Sequence, residues 1–191
     1  MGLFQFIWSR EYKRKVQITV KKLTLMSLLT AVALIVFIIE AQIPLPLPIP
    51  GAKLGLANAV TLFALFYSPP NPPSSLTTAN VFMILICRII LGAAFSGRIV
   101  AFIYSIAGGI LSFAVMAAMK KIVTARQIWA CGAVGAVFHN IGQILAAMLL
   151  TGTPSIAAYL PLLIIAGIVT GIITGLIAQF TIMRLTSQSN R

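Results

Sequence analysis

Few residues in this sequence could do chemistry, and nearly all of them lie inside apolar runs. Arg88 stands between Ile86-Cys87 and Ile89-Ile90. An arginine at mid-depth in hydrocarbon costs at least ~2.5–3.5 kcal/mol on insertion scales, so it must face a partner or water. Glu40 is its obvious counter-charge, because the only other acidic residue is Glu11 and the chain has no aspartate. Arg88 therefore either pairs with Glu40 or joins Lys53 in holding an anionic substrate group. In the second case Glu40 orients Lys53 or a substrate amine. His139 and Gln143 follow Gly132, Gly135 and Ala136 at steps of three and four, which makes one smooth helical face with a polar end. Asn140 lies one position round. In hydrocarbon such side chains need partners, and they either join helix to helix or line a ligand site.

The same inventory excludes several chemistries. One histidine and no aspartate, with no zinc-like spacing, argue against a metal site. No glycine-rich loop closes on Lys-Ser or Lys-Thr, so no phosphate cradle of that kind is expected. Magnesium chemistry needs clustered carboxylates, and Glu11 and Glu40 are predicted to lie on opposite sides of a membrane. The expectation is a binding protein without cofactor or covalent catalysis, not an enzyme.

The elements that must position these groups follow from composition. The chain is 60% hydrophobic and 8% charged, with a mean hydropathy of +1.05. A soluble domain of this size cannot hide so much apolar surface, so the chain is predicted to be an integral membrane protein. Its net charge of +12 comes from basic clusters at 10–22, 120–126 and 184–191. Such clusters mark cytoplasmic ends of spanning helices. They lack the aromatic interleaving of a nucleic-acid surface. Cys87 and Cys131 read as free thiols within apolar runs.

A spanning helix needs about 20 mostly apolar residues. Six are predicted, at roughly 23–43, 53–67, 76–95, 99–119, 128–150 and 159–183, the second one short. The expected architecture is an all-α bundle of six transmembrane helices over 23–183. A basic interfacial lead-in occupies 1–22 and a polar tail 184–191, with both termini cytoplasmic. Between the first two helices, Pro44, Pro46, Pro48 and Pro50 alternate with apolar residues. Proline cannot continue a helix and pushes its predecessor towards extended geometry. This stiff apolar segment is expected to cap a cavity on the outer side and to deliver Lys53 and Asn58 to its mouth. Otherwise it is a rigid interfacial turn. Gly167, Gly171 and Gly175 recur every four residues, as in tightly packed membrane helices. Ser27 and Ala31 form a small-residue stripe that either packs internally or docks an external helix.

Pro-Gly-Ala-Lys-Leu-Gly-Leu-Ala-Asn at 50–58, Phe-His-Asn-Ile-Gly-Gln at 138–143 and Gly-Ile-Val-Thr-Gly at 167–171 resemble the bacterial Gx transporter family. That family is also labelled heptaprenyl diphosphate synthase component I. It is similar in turn to the substrate-binding S components of energy-coupling factor transporters. The resemblance implies a six-helix subunit of the bacterial cytoplasmic membrane that captures a small vitamin-, quinone- or isoprenoid-related molecule under the loop at 43–58. Glu40, Lys53, Asn58, Arg88, His139, Asn140 and Gln143 would line that site. Ser27 and Ala31, with serine where the pattern has alanine, would face a transmembrane coupling subunit driven by two ATPases. The synthase label implies instead an accessory component beside a catalytic partner of isoprenoid or quinone synthesis; a scaffold for an enzyme of extracellular electron transfer is the other form of that alternative.

Overall fold

The structure, a computed structural model, describes residues 2–43, 54–67 and 76–189, with side chains from 20 to 188. Lys53, most of the proline segment and the second proline run at 69–73 lie outside the described residues. The described residues form six α-helices: α1 Gly2–Glu40, α2 Asn58–Phe66, α3 Thr78–Ser96, α4 Ile99–Met119, α5 Ile128–Thr151 and α6 Leu160–Ser189, the last preceded by a 3₁₀ turn at Pro154–Tyr159.

Five of these helical stretches are long and apolar enough to cross a membrane: Val20–Glu40, Thr78–Ser96, Ile99–Met119, Ile128–Thr151 and Pro154–Gln188. The expected six spanning helices are thus five among the described residues. The exception is α2, whose nine residues cover only ~13 Å at 1.5 Å per residue, against ~30 Å of hydrocarbon. Its length is set from both sides. Gly55 adopts a left-handed φ of 83°, and Tyr67 turns extended as the chain approaches the prolines. At the other extreme, α1 runs unbroken for 39 residues, because residues 3–40 contain neither glycine nor proline. The change at residue 22 is one of composition, not of secondary structure.

Helix ends follow local chemistry. Thr77 and Asn80 form a capping box at the start of α3, each side chain accepting from the other's backbone N–H. Gly97 and Gly152 take left-handed φ values of 62° and 64° and close α3 and α5.

Two apolar clusters mark the two ends of the bundle. One joins Leu29 of α1, Leu65 of α2, Val81 of α3, Met116 of α4, Ile128 of α5 and Ile182 of α6. The other joins Tyr104 of α4, Ala147 of α5 and Leu163 of α6. The early part of the α1 span and the last turns of α6 therefore lie at the same end. Helix α5 is central and packs along both α4 and α6. Glycines bring these backbones together: a Cβ at Gly171 would sit 2.6 Å from Ala133 Cα, and one at Gly142 would sit 2.7 Å from the Ala107 carbonyl oxygen. Without a hydrophobic drive between helices in lipid, this close approach is the source of packing energy. Among the described residues the backbones of α1 and α6 stay apart, and α2 packs against both.

Candidate functional site

Helix α2 begins inside the bundle, and buried polar groups of α1, α4 and α5 gather around its first turn. Glu40 ends α1 at 4% exposure, and its Oε1 accepts the backbone N–H of Gly55 at 2.5 Å. Gly55 has a structural reason to be glycine beyond its φ: a Cβ there would lie 2.9 Å from His139 Cδ2 and 3.1 Å from Asn58 Nδ2. Asn58, the first residue of α2, donates from Nδ2 to Ser112 Oγ of α4 at 3.4 Å. His139 Nε2 lies 2.5 Å from Gln143 Nε2, one turn along α5. With the amide nitrogen as donor, the ring accepts at Nε2 and carries its proton on Nδ1. Gly108 of α4 leaves room for that ring, since a Cβ there would come within 2.8 Å of His139 Nδ1.

Arg88 of α3 is buried. Its guanidinium carbon stands 5.8 Å from the centre of the Phe37 ring, within cation–π range. Glu40 is the charge that acts on it. Its Nη2 has no hydrogen-bond acceptor among the described residues and lies 3.8 Å from where a Cβ on Gly109 would be. Gly108 and Gly109 are consecutive on α4, so this helix presents its small face to His139 and to Arg88 at one level. Phe37 is held in turn by Gly92 of α3, whose Cβ would clash with the ring at 2.7 Å.

The structure thus brings Glu40, Asn58, Arg88, His139 and Gln143 into one region. Asn140 points elsewhere. Its Nδ2 donates to the Leu163 carbonyl of α6 at 2.6 Å, and a Cβ at Gly167 would press on the same nitrogen at 2.7 Å. Gly167, Gly171 and Gly175 all face α5, against Asn140, Ala133 and Trp129 respectively. Ser27 and Ala31 are exposed on α1. Among the described residues no group of three or more His, Cys, Asp or Glu could hold a metal ion.

Gly55, Ser112 and Phe37 belong to this region but were not expected there. Gly55 stands in the 50–58 motif and Ser112 in a small-residue pattern with Gly108. Phe37 carries no signal that separates it from the other apolar residues of α1. Beside the polar region, an apolar groove of about 490 Å³ opens between α1, α2 and α6, lined by Val32, Val36, Leu56, Phe63 and Ile177 among others. Its threonines are spent on their own helix: Thr174 Oγ1 donates to Thr170 O and Thr181 Oγ1 to Ile177 O.

The chain can be compared with known proteins on this footing. Residues 29–181 match the family model described as heptaprenyl diphosphate synthase component I. No curated protein and no solved structure matches the chain.

Proposed function

The chain belongs to the heptaprenyl diphosphate synthase component I family, and from that premise we propose that it is a non-catalytic membrane subunit that binds a small organic molecule at the start of α2. The observation that carries this reading is the convergence of Glu40, Asn58, Arg88, His139 and Gln143, contributed by α1, α2, α3 and α5, all of them buried. Polar and ionisable groups inside a membrane are expensive, and where they converge they serve a ligand or a pathway. Pure helix cement would not need five of them gathered from four helices. Asn140 already supplies such cement between α5 and α6.

The fuller form of the proposal is the substrate-binding subunit of an energy-coupling-factor-type transporter in a bacterial cytoplasmic membrane. Capture would take place from the side of the proline segment. The basic clusters at 10–22, 120–126 and 184–191 favour cytoplasmic termini. The exposed Ser27 and Ala31 on α1 offer small-residue contact to a coupling subunit.

The family's name favours a second reading, an accessory component to a partner enzyme of isoprenoid or quinone synthesis. Prenyl transfer by this chain alone is disfavoured, because magnesium-bound diphosphate needs clustered carboxylates and the sequence has only Glu11 and Glu40. Mass spectrometry of the purified, then denatured, protein separates the two readings. A stoichiometric small molecule supports the binding subunit; a co-purifying soluble enzyme with no small molecule supports the accessory role and sinks the first.

A further inference from the structure

We infer that the molecule bound at the start of α2 carries an anionic oxygen group, a carboxylate or phosphate, and that Arg88 recognises it; the inference rests on the binding-subunit reading above. A guanidinium presents five N–H donors in a planar fork matched to such groups. At Arg88 these donors sit at 3% exposure in the interior of the bundle, yet Nη2 has no acceptor among the described residues. The Phe37 ring attracts the charge at 5.8 Å but is no substitute for an oxygen acceptor. Glu40, the one carboxylate among residues 20–188, gives Oε1 to the Gly55 N–H.

A buried donor left unmet costs its full desolvation penalty, and a ligand oxygen removes that cost. The surroundings suit an anion further. Helix α2 starts here, so the positive end of its dipole lies in the region, while the N–H groups of Asn58, Ala59 and Val60 donate to the carbonyls of Gly55, Leu56 and Ala57. On the α4 side Arg88 Nη2 faces Gly109, 3.8 Å from where a Cβ there would be, so no side chain of that residue covers it. The anion can arrive on a soluble molecule or as the headgroup of a lipid.

The test uses the full chain in nanodiscs of phosphatidylcholine at fixed ionic strength. Melting temperature is followed with matched probes: phenyl phosphate against phenol, and benzoate against benzyl alcohol. A parallel set of discs contains phosphatidylglycerol. The expected result is a saturable upward shift, as for any ligand bound only by the folded state. It should come from at least one anionic probe, or from phosphatidylglycerol, and not from the neutral partners. The first pattern assigns a soluble anion and the second a lipid headgroup. Arg88→Gln should lose the shift, and Arg88→Lys should retain part of it, keeping charge but not the fork. Equal shifts from neutral and anionic probes, a shift that survives in Arg88→Gln, or no shift from any anion would each overturn the inference. The wild-type comparison needs no variant to fold. Co-purification of a neutral compound would overturn the anionic assignment while leaving the binding subunit intact. Failure to find any compound would count against the subunit reading itself.

Discussion

The backbone N–H of Gly55 donates to Glu40 Oε1 at 2.5 Å, tying the end of α1 to the turn that starts α2. This bond places one end of a helix too short to span beside the last residue of a helix that does. It sets the level at which Asn58, His139 and Arg88 come together.

Gly55→Ala should be more costly than Gly97→Ala. Both glycines have positive φ, worth about 1–2 kcal/mol against a residue with a Cβ. At Gly97 a Cβ meets nothing within 4 Å, whereas at Gly55 it meets His139 Cδ2 at 2.9 Å. Thermal unfolding of the two variants in the same detergent checks the order, and equal melting temperatures would contradict it.

Arg88→Ala should weaken retention of the co-purified molecule roughly ten- to a hundredfold, the ~1.5–3 kcal/mol of a hydrogen bond to a charged group. The yield of monodisperse protein should fall much less. Quantitative mass spectrometry against yield reads both. Parallel losses would mean that Arg88 acts only in folding.

Asn140→Ala should do the reverse. Its bond to Leu163 joins α5 to α6, and inter-helix bonds of this kind average about 0.6 kcal/mol in membranes. A small drop in melting temperature with unchanged ligand retention is expected. Loss of the ligand would bring Asn140 back into the site.

Gly171→Leu should abolish folding, because even a Cβ there would lie 2.6 Å from both Ala133 Cα and the Gly132 carbonyl oxygen. Backbones on both sides leave nothing flexible to yield. Size-exclusion chromatography of the expressed variant is the check, and a wild-type profile would refute the close α5–α6 contact.

On the transporter reading proposed above, Ala31→Trp should leave ligand retention intact and block uptake in cells that carry a coupling subunit with its ATPases. Ala31 is exposed on α1, so the bulk meets no neighbour within the chain. Unchanged uptake would exclude docking through this face.

The membrane made much of this legible from residues alone. Against so apolar a background, Glu40, Arg88, His139 and Gln143 stand out wherever they fall, because hydrocarbon tolerates them only with a purpose. Asn140 stands out equally, and there the sequence gives no guide. One position along a helix is a turn of about 100°, enough to carry the side chain from the α4 side of α5 to the α6 side. The limits of α2 were hidden for a different reason: Leu54–Tyr67 is apolar almost throughout, and nothing in hydropathy announces a left-handed Gly55. Phe37 was invisible because an aromatic beside an arginine on another helix is a fact of packing alone.

The wedge position of α2 also bears on how the protein is made. Its neighbours come from both ends of the chain, and it packs more extensively against α6 than against any other helix. Synthesis runs from the N-terminus, so the ribosome delivers α2 about a hundred residues before the helix that covers more of it than any other. Until α6 arrives, Ala59, Val60 and Phe63, which line the groove it shares with α2, must wait without their final shelter. Truncation after α5 should therefore yield a chain that the membrane quality-control proteases clear, even with four of its five spans complete.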